Sequence, residues 1–133
     1  MVRDCKLIAE RNNVKFKFNS YFPIKSLNLM RGVLVAEEDN IKDYYIDNIF
    51  NTIWQDGLNM NDEIIIQKIL KNLNINHKTF ALRSTSSLIK DSLRKKTNEA
   101  YEKGIFGAPT FLSNNKIFWG QDRIEFALKE ASK

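Results

Sequence analysis

Gly104-Ile105-Phe106-Gly107-Ala108-Pro109-Thr110-Phe111, continuing through Leu112-Ser113-Asn114-Asn115-Lys116-Ile117-Phe118-Trp119 to Gly120-Gln121-Asp122-Arg123, decides the fold of this chain. Thr110–Ser113 and Lys116–Trp119 are short runs rich in apolar and aromatic residues on either side of Asn114-Asn115. Paired Asn residues tolerate positive φ, so this spacing predicts two antiparallel strands joined by a two-residue turn. Gly120 ends the second strand. Residues 122–131 then predict a closing helix with Ile124, Ala127 and Leu128 turned inward.

Upstream of Gly104 the texture is helical. Val2, Cys5 and Ile8 recur at helical spacing and predict a first helix over 2–12, with Cys5 on its apolar face as a buried structural cysteine. Val14-Lys15-Phe16-Lys17-Phe18 alternates apolar and basic residues, which fits a half-buried strand or an extended linker. Tyr21-Phe22-Pro23 reads as a turn, because the residue before proline is pushed out of the helical region. Ser26 is placed to cap a helix carrying Leu27, Met30, Val33 and Leu34 on one face, which Asp39-Asn40 breaks. Ile41, Tyr45, Ile49 and Ile53 then follow at four-residue intervals up to Gly57, a residue suited to a left-handed helix end. Asp62 is a good cap for Glu63–Leu73, whose Ile65, Ile66, Ile69, Leu70 and Leu73 face inward. The polar stretch Asn74–Lys78 puts His77 in a solvated loop, and Ser84–Ser87 opens a long helix up to Gly104.

Composition removes several classes of function. In 133 residues, 15 Ile and 15 aromatics provide ample apolar surface for a core. One cysteine and one histidine leave no CxxC redox pair, no cysteine zinc site and no histidine-centred triad, so no metal is expected. The net charge of +5 would favour an anionic partner, but the lysines are scattered among 16 acids rather than gathered in a stripe. Nucleic acid is therefore not expected as a partner. No apolar run is long enough to span a bilayer, and Met1–Lys6 lacks the apolar core of a secretory signal, so a soluble cytoplasmic protein is expected.

The Gly-x-Pro-Thr-Phe strand, tight hairpin and Phe-Trp-Gly-Gln-Asp-Arg helix start together resemble the C-terminal half of thioredoxin-like folds. More narrowly, they resemble the kappa-class glutathione transferase and 2-hydroxychromene-2-carboxylate isomerase family, a branch of the DsbA-like group. Phe22-Pro23-Ile24-Lys25-Ser26-Leu27, Met30-Arg31-Gly32 and Thr97-Asn98-Glu99-Ala100 carry the likeness through most of the chain. Lys25 stands where the family usually has Asn. The resemblance implies an α/β fold: one DsbA-like domain over 1–133, a partial thioredoxin-like fold that is mainly helical over 1–103 (the helical insertion), with the hairpin and closing helix in 104–133. Residues 1–20 do not read as the family's opening strand–helix–strand unit with its catalytic serine, so that unit is expected to be missing and the chain to be N-terminally shortened. The resemblance assigns no catalytic residue here, because Ser20, Ser26 and Ser113 do not fall at the matching place.

What the resemblance does imply is a cis peptide between Ala108 and Pro109, with the Ala108 main chain free to pair with the cysteinyl backbone of glutathione. A purely structural turn proline is the plainer reading. Gln121 and Asp122 at a helix start would receive the γ-glutamyl group, Asp122 holding its ammonium, although Asp122 equally suits a helix cap. Trp119 reads either as core or as a wall of the substrate cleft, and Phe118 as core. The activity implied is a glutathione-dependent isomerase, or a related transferase, acting on a small aromatic or electrophilic substrate, an activity that the shortened chain need not retain alone. Without a first strand beside residues 110–113 an open sheet edge is expected, filled by residues 14–18 or covered in a homodimer. Two further readings stand beside it: a DsbA-like thiol–disulfide oxidoreductase and a non-catalytic helical interaction module.

Overall fold

The computed structural model describes residues 2–133, and the chain divides into two compact units, one ending at Leu93 and the other running from Arg94 to Lys133. The first is wholly helical. It comprises α1 (Val2–Arg11), α2 (Leu27–Glu38), α3 (Lys42–Asn51), α4 (Glu63–Asn72), α5 (His77–Ser84) and the opening turns of α6 (Ser87–Glu102). The second holds the rest of α6, strands β1 (Thr110–Ser113) and β2 (Lys116–Trp119), a single 3-10 turn at Gln121–Arg123, and α7 (Ile124–Ala131).

The helical unit is built on Val35, Ala36, Tyr45, Met60, Leu70 and Phe80, all nearly inaccessible to solvent. Burying each of the larger side chains contributes roughly 1.5–3 kcal/mol. The four-residue repeat of α3 places Tyr45, Ile49 and Ile53 in this core, with Ile41 half-buried. Beyond Asn51 the helix widens into a π turn over Thr52–Asp56 and stops at Gly57 with φ +69°. Asp62 caps α4 by accepting from the Ile64 N–H at 2.9 Å.

Several sequence expectations are corrected. On α2 the buried residues are Leu29, Gly32, Leu34, Val35 and Ala36, so Leu34 is buried as expected and Val33 is half-buried, whereas Leu27 and Met30 are exposed. The reason is Gly32: a Cβ there would collide with the Tyr45 hydroxyl and crowd Phe80, so the closest helix approach runs through a residue with no side chain. Ser26 sits at the start of α2, but its side chain makes no capping bond. Residues 74–86 contain a helix, α5, capped by the Asn76 side chain on the Thr79 N–H at 3.0 Å. His77 is thus the first residue of a helix and half-buried, not a solvated loop residue. No residue of α1 is buried, and Cys5 is only partly covered.

Residues 14–18 take the linker alternative and form no ladder, so they do not fill the sheet edge. What holds them is side-chain and single-bond chemistry. Lys17 N–H donates to the Trp54 carbonyl at 2.6 Å, and Phe16, Phe18 and Phe22 surround the Trp54 ring with centroids about 6 Å away. Just beyond, the fully buried Asn19 donates through Nδ2 to the Ile53 and Leu58 carbonyls and accepts from the Tyr21 N–H. The turn that follows contains a cis Phe22–Pro23 bond, which the sequence does not announce.

In the C-terminal unit β1 and β2 pair antiparallel in the register Thr110↔Trp119 to Ser113↔Lys116. Asn114 and Asn115 both have positive φ, as the two-residue turn requires. The closing helix begins at Ile124 rather than at residue 122, and it turns Ala127 and Glu130 inward while Ile124 and Leu128 stay exposed. Glu130 is the device that fastens α7 to the hairpin. Its carboxylate meets Lys116 Nζ and Lys133 Nζ at 2.8 Å each, and its main-chain carbonyl accepts from Asn114 Nδ2 at 2.8 Å.

Candidate functional site

The site predicted from sequence lies at the open end of the hairpin, where two stretches 11 residues apart in sequence meet. The register that pairs Thr110 with Trp119 brings Pro109 opposite Gly120, and Gly120 N–H donates to the Pro109 carbonyl at 3.0 Å. This one bond sets Ala108-Pro109 beside the Gly120–Asp122 turn. The Ala108–Pro109 peptide is cis. Ala108 and Pro109 are exposed, and neither the N–H nor the C=O of Ala108 has a hydrogen-bond partner among the described residues. Such groups are obligatory hydrogen-bonders that remain open to water or to a ligand.

Gly107 and Thr110 frame this bend. Thr110 Oγ1 donates to the Gly107 carbonyl, closing the turn before β1. A Cβ on Gly107 would lie 2.6 Å from Trp119 Nε1, so the indole packs over bare backbone there. The indole also meets the Phe106 ring at 5.1 Å in a tilted arrangement, an aromatic contact that the sequence did not single out. Trp119 is about half exposed and therefore not a core residue of this unit, whereas Phe118 is half-buried. Gly120 has φ +115°, a region that favours glycine, and its bend swings the chain from β2 into the Gln121–Arg123 turn.

Gln121 and Asp122 are both exposed on that turn. Asp122 lies in the first turn before α7, with Oδ2 3.4 Å from Arg123 Nε, and it makes no side-chain cap on α7. The structure therefore gathers Ala108, Pro109, Gln121 and Asp122 around one bend, with Trp119 and Phe106 as its aromatic neighbours. Among the described residues no group of three or more His, Cys, Asp or Glu side chains is arranged to hold a metal.

A second concave feature, absent from the sequence reading, belongs to the helical unit alone. An open cavity of about 370 Å³ lies between α2, α3, α4 and α5, with Tyr45, Leu70 and Phe80 among its apolar walls and Lys25, Asn61, Glu63 and His77 among its polar ones. Glu63 Oε1 stands 3.5 Å from His77 Nε2. The Tyr45 hydroxyl donates to the Leu29 carbonyl at 3.3 Å, and burial pushes its phenol well above the ordinary range. The sequence reading lacked α5, and five of the 14 lining residues (His77, Phe80, Ala81, Ser84 and Thr85) come from that helix and its C-terminal cap.

Comparison with known proteins points in one direction. The family model for the DSBA-like thioredoxin domain matches residues 1–131. The chain is 24% identical over 126 residues to the 2-hydroxychromene-2-carboxylate isomerase of Sphingobium xenophagum, an alignment covering 95% of this chain and 64% of that protein. It is 28% identical over 87 residues to the 2-hydroxychromene-2-carboxylate isomerase of Pseudomonas sp. strain C18, covering 65% of this chain and 41% of that protein. A solved structure of a 2-hydroxychromene-2-carboxylate isomerase superposes with a TM-score of 0.83 at 23% identity, covering 97% of this chain and 62% of that one. The fold is thus shared, and the chain spans 64% and 62% of the Sphingobium protein and the solved structure but 41% of the Pseudomonas protein. No helix among the described residues is long and apolar enough to cross a membrane.

Proposed function

This chain belongs to the DSBA-like thioredoxin domain family, and from that premise we propose that it is a glutathione-dependent isomerase of the 2-hydroxychromene-2-carboxylate isomerase type, or a related glutathione transferase. The observation that carries the proposal is the unpaired, exposed main chain of Ala108, tied through the Gly120–Pro109 hydrogen bond to the turn bearing Gln121 and Asp122. Isomerase names on relatives at 24% and 28% identity support the reaction class.

In this reading the Ala108 N–H and C=O pair in β-fashion with the cysteinyl residue of glutathione, orienting its sulfur. Gln121 and Asp122 take the γ-glutamyl end, with Asp122 accepting from its ammonium in a charge-assisted bond. Trp119 forms an aromatic wall against which a small aromatic or electrophilic substrate stacks. Glutathione supplies the thiolate that the reaction needs as nucleophile, chemistry that no residue in this stretch provides. We assign no catalytic side chain. A thiol–disulfide oxidoreductase is disfavoured because Cys5 is the one cysteine of this sequence. We place the reaction in the cytoplasm, where glutathione is kept reduced.

We also propose a homodimer, since β1 has no second ladder partner among the described residues and Leu112, Ile117 and Trp119 are exposed on the hairpin. Isothermal titration of glutathione into this chain and into Asp122→Ala tests the site. The expected result is binding that weakens about tenfold in the variant, as loss of a charge-assisted hydrogen bond implies. Equal affinity in both, or no binding to either, contradicts it.

A further inference from the structure

Helix α1 and the stretch that follows it up to Phe22 leave large apolar side chains exposed beside a surplus of cations, and we propose that this surface seats the protein on an anionic lipid bilayer. None of the residues concerned belongs to the glutathione site, so the two readings stand or fall separately.

The helix is amphipathic by sequence. Val2, Cys5, Ile8 and Ala9 fall on one side of it, and Arg3, Lys6 and Glu10 on the other. Yet no residue of α1 is buried, and Val2, Leu7 and Ile8 are exposed. A helix of 10 residues is marginal in water and is held chiefly by packing its apolar face, so this one is short of a partner. Asn13, with φ +52°, ends it, and the Val14 N–H returns to the Ala9 carbonyl at 2.8 Å, which sets the direction in which the chain leaves. Val14 is exposed there. So are Phe18, Tyr21 and Phe22, although Phe18 and Phe22 also meet the Trp54 ring.

Charge selects the partner. The lysines of the chain are scattered, but its net charge is not: residues 2–25 hold six Lys or Arg against two acids, a net +4 of the chain's +5. Among the described residues no acidic side chain pairs with Arg3, Lys6 or Arg11, and the acid that reaches this stretch from elsewhere is Asp56, 3.6 Å from Lys15. Cations interleaved with exposed apolar groups complement a layer that offers phosphate and carboxylate at its surface and hydrocarbon beneath. Nucleic acid would supply the anions but nothing for Val2, Leu7, Ile8 and Val14, which are aliphatic and have no ring to stack on a base. The aromatic side chains suit the same boundary, where apolar rings sit at the level of the headgroups. Lying on a bilayer in this way needs no helix long enough to cross it.

The test sediments the full chain with sucrose-loaded vesicles, made either of phosphatidylcholine alone or of phosphatidylcholine mixed with phosphatidylserine, at low and at high salt. The expected result is partitioning into the phosphatidylserine vesicles, weakened at high salt as the charges are screened. Arg3→Gln combined with Lys6→Gln should weaken it about twentyfold, about fivefold for each charge removed. Leu7→Gln combined with Val14→Gln should weaken it about tenfold by removing apolar groups that enter the layer. All four positions are exposed, so the core is untouched, and far-UV circular dichroism checks the folding of both variants. Equal partitioning into neutral and anionic vesicles, no partitioning into either, or an unchanged response of the Leu7→Gln, Val14→Gln variant would overturn the proposal. Binding to oligothymidylate or polyglutamate without binding to vesicles would overturn it too, and would assign the surface to nucleic acid or to an acidic protein.

Discussion

At the scale of single residues, two side chains without obvious chemistry set the most. Asn19 is fully buried and uses its carboxamide to satisfy two carbonyls and one N–H that would otherwise be orphaned. Asn19→Ala should therefore cost about 2–4 kcal/mol, since each stranded buried group costs roughly 1–3 kcal/mol, to be read from urea denaturation. A loss below about 0.5 kcal/mol would show that water replaces the side chain. Gly107 is the counterpart in the C-terminal unit. Gly107→Ala places a methyl 2.6 Å from Trp119 Nε1 and should displace the indole, changing Trp119 fluorescence in a Trp54→Phe background while the hairpin ladder persists. Unaltered emission would show that the indole does not pack on this backbone. Neither role can be read from residue type, because Asn and Gly in loops are ordinarily turn formers and only the tertiary neighbours reveal what they hold.

At the scale of elements, the hairpin was legible and parts of the helical region were not. Asn114-Asn115 specifies its turn locally, and both residues take the positive φ that the pair tolerates. Asn115→Gly should stabilise the hairpin by up to about 1 kcal/mol by removing the residual left-handed cost, measured from the thermal midpoint of the β1–β2 amides. A destabilised hairpin would contradict this account of the turn. The buried face of α2 is legible for Leu34 but not for its first turns, because Leu27-Asn28-Leu29-Met30-Arg31-Gly32-Val33-Leu34-Val35-Ala36 offers two apolar stripes, and hydrophobicity counts a glycine as nothing. Tyr45 and Phe80 pack where that glycine leaves room. Helix α5 escaped notice because its eight residues begin in a polar run and bury only Phe80 and Ser84.

The fastening of α7 to the hairpin makes a pH prediction. Hydrogen bonds from Lys116 and then Lys133 hold the Glu130 carboxyl down to about 2, below its ordinary 4.5. A carboxyl depressed in the folded state contributes stability that is fully present above about 4.5 and is lost as the pH falls towards 2. The C-terminal unit should thus loosen over that window, seen as loss of dispersion in the β1, β2 and α7 amides. Glu130→Gln should be less stable at neutral pH and should flatten the acid limb. An identical acid limb in the variant would remove Glu130 as its cause.

At the scale of the whole molecule, the family and the fold follow from a match over residues 1–131 and from a shared architecture at a TM-score of 0.83, while the proposed function rests on a few main-chain atoms. The motif could be found in sequence because the Gly-x-Pro-Thr-Phe strand and the Gly-Gln-Asp-Arg turn are contiguous runs. Their juxtaposition through the Gly120–Pro109 bond needed coordinates. The open edge of β1 carries the proposed homodimer to this scale. Sedimentation equilibrium at micromolar concentration should give a mass near twice 15.5 kDa, and a stable monomer would set the dimer aside.

The most direct measurement follows the amide resonances of Ala108, Gln121 and Asp122 while reduced glutathione is added to the 15N-labelled chain. The account predicts saturable shifts centred on these three, reproduced by S-methylglutathione and much weaker with cysteinylglycine, which lacks the γ-glutamyl group. Shifts confined to other parts of the chain, or the same response to cysteinylglycine, would contradict it.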